Sequence, residues 1–211
     1  MAASTTRSKD TVGYPRKRRQ TRRRLLNAGA AVLAERGPGH VTAGEVATAA
    51  EVAVGTLYNH FPSVDELIDA VAHDLGRGIE IGRDTLAEIE HDPGRRVAIG
   101  VLQLLQMAED DPVSAAAFVS LTAVRADFRA RVRRIVGQAI SDGVEAGSFD
   151  VQTGPAATSA VLGTTLQAMR SRLLAESSHG DAIEVARLVM RLLGADDIDT
   201  IVEQARLAVE S

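Results

Sequence analysis

The sequence predicts an all-α chain of about nine or ten helices. Apolar residues recur at helical spacing through most of its 211 residues. No stretch alternates apolar and polar residues as a half-buried strand would. The pairs Asp92-Pro93 and Asp111-Pro112 each place a capping carboxylate before a proline at the first helical position.

From Thr21, read as an N-cap, Leu25, Leu26, Ala28, Val32 and Leu33 define a first helix, which Gly37-Pro38-Gly39 stops. Thr42 caps a short second helix with Val46, Ala47 and Ala50 inward. Glu51 to Ala53 is a turn, and Val54 to Phe61 a third helix. Ser63 and Glu66 form a capping box that opens a fourth, loosened by Gly76, Gly78 and Gly82. Asp92-Pro93 opens a fifth helix to about Glu109, and Asp111-Pro112 a sixth ending near Val124. Residues 126–146, closed by Gly147, and 152–176 form the next two, and 181–193 and 196–209 the last.

Charge separates the N-terminus from the rest. Residues 1–24 carry nine basic side chains against Asp10 alone, a net +8 within a chain of net −4, so the remainder is −12. A basic arm on an acidic body fits a polyanionic partner. The run "RRQTRRRLLNAGAAVLAER" has a signal-like order of charge and apolar residues. Asn27 and Gly29 interrupt it, however, and its helical period continues into a domain, so a cytoplasmic location is expected. No apolar run is long enough to span a membrane as a helix.

Enzymatic signatures are missing from the sequence. There is no cysteine, which excludes thiol nucleophiles and disulfides. Glu88-x-x-His91 is half of a di-iron helix motif without a second copy, and the other histidines lack metal spacing. No phosphate loop or nucleophile elbow occurs. Neither a cofactor nor a metal is expected, nor an enzymatic activity.

The richest stretch is "VGTLYNHFPSVDEL", residues 54–67, in a chain that is only 3% aromatic. Three short helices in its neighbourhood, the last two joined by a tight turn, read as a helix-turn-helix. Val54, Leu57 and Phe61 share one face of the third helix and are expected to plug into the first two. Gly55, Thr56, Tyr58 and Asn59 are left outside, suited to close backbone approach, phosphate donation and pairing with adenine. His60 is a further donor to phosphate, and Arg16, Lys17, Arg18, Arg19 and Arg22 could follow a phosphate strand or enter the minor groove.

Residues 21–71, with "RRRLLNAGAAVLAERG", "VTAGEVATAAEVAVGTLYNHF" and "PSVDELIDAV", resemble the DNA-binding domain of the tetracycline-repressor (TetR) family of bacterial regulators. The resemblance implies a homodimer on palindromic double-stranded operator DNA, with repression relieved by a small-molecule effector held in the larger helical domain. It implies phosphate contact at Thr42 and third-helix contacts from Gly55, Thr56, Tyr58 and His60. The chain departs from the family pattern at four positions. Glu51 replaces the usual turn glycine, Ala53 a capping serine, Val64 a lysine, and Gly29 an alanine. Those losses leave an alternative, a helical small-molecule-binding or interaction protein with a weakened DNA-binding domain.

The domain division expected is 1–20 as a disordered basic arm, 21–66 as the helix-turn-helix domain, and 67–211 as a helical effector-binding and dimerisation domain. In the last, "VAIGVLQLLQMA" is apolar nearly all round and should be central. Gln103, Gln106 and Met107 on it, with Phe118 and Leu121 on the next helix, are candidates to line a largely apolar effector pocket. Ala156, Ala160, Gly163 and Gln167 form a stripe of mostly small residues, a candidate dimer face where another helix could approach closely.

Overall fold

Apolar periodicity becomes ten helices in the computed structural model, which describes residues 13–37, 39–175 and 180–210 and shows no strand among them. They are α1 (Gly13–Arg36), α2 (Ala43–Ala49), α3 (Val54–Tyr58), α4 (Val64–Ile89), α5 (Pro93–Asp110), α6 (Pro112–Val124), α7 (Ala126–Glu145), α8 (Pro155–Leu173), α9 (Gly180–Leu192) and α10 (Ile198–Glu210).

Helix ends follow capping chemistry. Asp92 accepts from the Arg95 N–H, Asp111 from that of Ser114 and Ser63 from that of Glu66, each satisfying an N-terminal donor that has no helical partner. Thr42 does more: it accepts from the Glu45 N–H while the Glu45 carboxylate returns to the Thr42 N–H, closing a capping box. Gly147 closes α7 with φ +74°, a left-handed conformation natural to glycine.

The basic segment corrects the expectation of a disordered arm up to residue 20. Helix α1 begins at Gly13, so Arg16, Lys17, Arg18 and Arg19 stand on a helix, exposed to solvent. Arginine and lysine are good helix formers, and Pro15 in the first turn removes only an N–H without a helical partner. Residues 1–12 lie outside the described residues. Thr21 is therefore no N-cap: its hydroxyl donates to the Lys17 carbonyl at 3.0 Å, one turn back inside the helix.

Two hydrophobic cores result. The smaller gathers Leu25, Ala28 and Val32 of α1 with Val46, Ala50, Leu57, Phe61 and Leu67. The larger centres on α5, whose Val97, Ala98, Val101, Leu102 and Leu105 are buried among α6 to α10. Helix α1 serves both, because Leu33 belongs to the larger core and Leu26 packs against each. At Gly29 the helix lies so close to α4 that an added Cβ would stand 3.3 Å from Leu67 and 3.4 Å from Val71. That approach accounts for a glycine in a helix interior, where it otherwise costs up to about 1 kcal/mol. Val64 packs its apolar side chain against the larger core.

A candidate DNA interface

Helices α2 and α3 are joined by Ala50 to Ala53, and the turn holds Glu51 at φ +51°. A left-handed residue with a Cβ costs roughly 1–2 kcal/mol, which glycine would avoid. Arg24 offsets part of it by donating to the Ala50 carbonyl at 2.5 Å, satisfying an acceptor at the C-terminal end of α2, and lies 3.4 Å from the Glu51 carboxylate. Glu51→Gly is expected to raise stability by about 1 kcal/mol, read as a higher denaturation midpoint at unchanged m. An unchanged midpoint would show that the Arg24 bonds already compensate the strain.

Helix α3 starts at Ala53 without a side-chain cap. Its Leu57 is fully buried, and Phe61 is buried just beyond its end, so these two fix the orientation of the short helix. Val54 does not join them as expected. At 43% exposed it sits one turn before Leu57, where the small core has already ended. Tyr58 is 51% exposed, Gly55 and Asn59 are exposed, and Thr56 and His60 are half-buried. Thr42 is exposed, but its hydroxyl donates to the Glu45 carboxylate at 2.7 Å, which lowers the pKa of that acid.

The start of α1 lies beside this edge. The Arg22 guanidinium stacks on the Phe61 ring, 4.8 Å from its centroid, so this cation is held against α3. Burial first, then the positive charges of Arg18 and Arg22, lower the His60 pKa below its ordinary 6.5. At neutral pH the imidazole is uncharged. Because the folded value is depressed, the His60 contribution to stability is complete above pH 6.5 and is lost as pH falls through the folded value. The melting temperature should accordingly drop between about pH 7 and pH 5, and less so in His60→Gln. Parallel pH profiles for the two proteins would refute this.

The expected pocket residues are dispersed. Gln103 is exposed, Gln106 and Met107 are half-buried, and Phe118 and Leu121 are buried core side chains, Phe118 meeting Phe128 edge-on at 5.5 Å. A cavity of about 200 Å³ opens elsewhere, between α6, α7 and α8. Arg129, Arg133, Val132, Leu162 and Gly163 are in its wall, so it opens at the edge of the α8 stripe to which Gly163 also belongs, and none of the five expected pocket residues lines it. Arg129 donates to the carbonyls of Thr122 and Ala123 at 3.1 and 2.9 Å, closing the last turn of α6. Arg125, at the junction of α6 and α7, reaches Asp65 and Asp69 of α4 at 2.9 and 3.5 Å. Both carboxylates are exposed, so each pair is worth at most about 1 kcal/mol, weak enough to rearrange.

Ala156, Ala160, Gly163 and Gln167 of α8 are all exposed. Leu174 beyond its end is exposed too, as are Leu188 and Leu192 of the neighbouring α9, at 44% and 43%. Glu88 lies on α4, and His91 in the loop after it, exposed. No group of three potential metal ligands is found among the described residues, and none of their helices is long and apolar enough to cross a membrane.

Several interactions escaped the sequence reading. The Thr42-x-x-Glu45 box was visible as a pattern. The roles of Arg22, Arg24, Arg125 and Arg129 had no local signal, since each depends on a partner brought close only by tertiary packing.

Comparison with known proteins agrees with this geometry. Residues 25–71 match the family profile for bacterial regulatory proteins of the tetR family. An uncharacterised helix-turn-helix-type transcriptional regulator of Mycobacterium tuberculosis is 30% identical over 99 residues, 46% of this chain and 48% of that protein. The match thus spans about half the length of the curated relative. Among solved structures, RolR in complex with resorcinol is 25% identical with a TM-score of 0.59, over 90% of this chain and 95% of that one. A gamma-butyrolactone receptor described as ArpA-like is 20% identical with a TM-score of 0.73, over 92% and 100%.

Proposed function

Because this chain belongs to the TetR family of bacterial regulators, we propose that it is a homodimeric, cytoplasmic, non-enzymatic repressor that a small molecule releases from operator DNA. The observation that carries this reading is the edge of α3. Leu57 and Phe61 anchor it, Gly55, Tyr58 and Asn59 face outward, and the exposed cations of α1 stand alongside. A groove-inserted backbone with polar tips reads bases, and flanking cations fix register on phosphate. On this reading Thr42, Thr56, His60 and Arg22 are phosphate partners, with Thr42 giving up part of its bonding to Glu45. Residues 21–66 form the DNA-binding unit and 67–211 the effector-binding and dimerisation unit.

A second copy would pair through the exposed stripe of α8 and the leucines of α9. RolR was crystallised with resorcinol, and the other neighbour is a receptor for gamma-butyrolactones. Small-molecule control of this chain is in keeping with both.

The decisive experiment titrates binding to the DNA upstream of its own gene against salt. Tyr58→Ala is expected to weaken binding about tenfold or more without loss of fold. Changing Arg16, Lys17, Arg18 and Arg19 to Gln should flatten the salt slope by about 0.9 for each phosphate that is no longer neutralised. Equal binding to any duplex, indifferent to Tyr58→Ala, would leave only a ligand-binding helical protein with a basic helix.

A further inference from the structure

The cavity between α6, α7 and α8 combines an apolar floor, Val132, Leu162 and Leu166, with two guanidinium groups one helical turn apart, Arg129 and Arg133. Among the described residues, none in its wall is acidic. Arg129 bonds to carbonyls of α6, and Arg133 to the Ser159 hydroxyl, and neither forms an ion pair among the described residues. Two cations held over apolar side chains without a counter-charge favour an anion that carries its own apolar body. The space, about 200 Å³, is too small for a nucleotide and suits a compact carboxylate.

We propose that this cleft is the effector site and that its ligand is a small amphipathic carboxylate. The carboxylate sits between Arg129 and Arg133, and the hydrocarbon lies on Val132, Leu162 and Leu166. The proposal rests on the regulator reading above and adds the location and the ligand class. Arg129 spends one nitrogen on the last carbonyls of α6 and keeps other donors for the ligand. A carboxylate that draws on this guanidinium shifts the end of α6. Arg125 stands at that end and ties it to Asp65 and Asp69, in the first and second turns of α4, the helix that follows α3. Ligand affinity is thereby linked to the position of α4, and through it to α3.

The test uses the full chain with benzoate, cinnamate and hexanoate, each beside its uncharged primary amide, in calorimetry and in operator-binding titrations. At least one acid is expected to bind about tenfold or more tighter than its amide. Arg133→Gln should erase that preference while leaving amide binding intact, and Leu162→Ala should weaken acid and amide alike. Saturating acid should weaken operator binding in the wild type. Arg125→Gln should bind the acid unchanged and lose most of that response. The proposal is overturned if no acid binds, if acids and amides bind equally, or if Arg133→Gln keeps the preference. It is also overturned if a bound acid leaves operator affinity untouched in a protein that grips operator DNA. Absence of operator binding altogether would instead fail the regulator reading, and the acid-to-amide ratio would then judge the cleft alone.

Discussion

Leu57→Ala should unfold the N-terminal unit under conditions where the rest of the chain keeps its helices. Leu57 is fully buried and sits where α3 meets α1 and α2, in a core supplied by only a handful of side chains. Truncating a buried leucine costs about 2–5 kcal/mol, and the cost rises with the cavity left unfilled. Few neighbours can collapse inward here, because Phe61 is held under the Arg22 guanidinium and Leu67 is fixed by the close approach of α4 at Gly29. A loss of this size is comparable with the whole stability of a small unit. Denaturation should become biphasic, and operator binding should vanish at 37 °C. Tyr58→Ala supplies the contrast, since an exposed side chain leaves the midpoint in place. A single transition within about 1 kcal/mol of wild type would mean that Leu57 is not the anchor of α3.

On the proposed pairing of two copies through α8, Ala160→Arg should separate them while preserving the fold of each. Ala160 lies mid-stripe on α8 with Ala156 and Gly163, and all three are exposed in the single chain. Small side chains allow two helices to pack closely, whereas an arginine there keeps them apart and leaves a charge to be buried. The mutant should sediment as a monomer, with an unchanged circular dichroism spectrum. On that proposal a monomer engages only one half-site, and operator affinity should fall by orders of magnitude. A dimer of wild-type strength would move the interface to another surface.

The elements that the sequence displayed best were those set by local chemistry. Asp92-Pro93, Asp111-Pro112 and Ser63 each sit where a helix begins, because a cap needs only the next three residues. Leu57 and Phe61 inside against Tyr58 and Asn59 outside followed from helical period alone. Val54 failed the same rule because burial also needs something to pack against, and the small core ends before reaching it. The N-terminal boundary of α1 slipped from Thr21 to Gly13 because a run of arginines carries no apolar period, although its helix propensity is high. The cleft beside Arg129 and Arg133 was illegible, since α6, α7 and α8 form its wall only after folding.

Helix α1 leaves one mechanical consequence. Its Leu25 and Val32 are buried with Leu57 of α3 in the smaller core, while Leu33, one residue on, is buried in the larger. A rigid rod gripped on two faces by two cores transmits tilt and torque without a hinge. The smaller core is consequently no tethered passenger of the larger one. Loosening either packing interface detunes the other, and a graft of residues 21–66 onto a foreign body would lose half the bearing on which α1 turns.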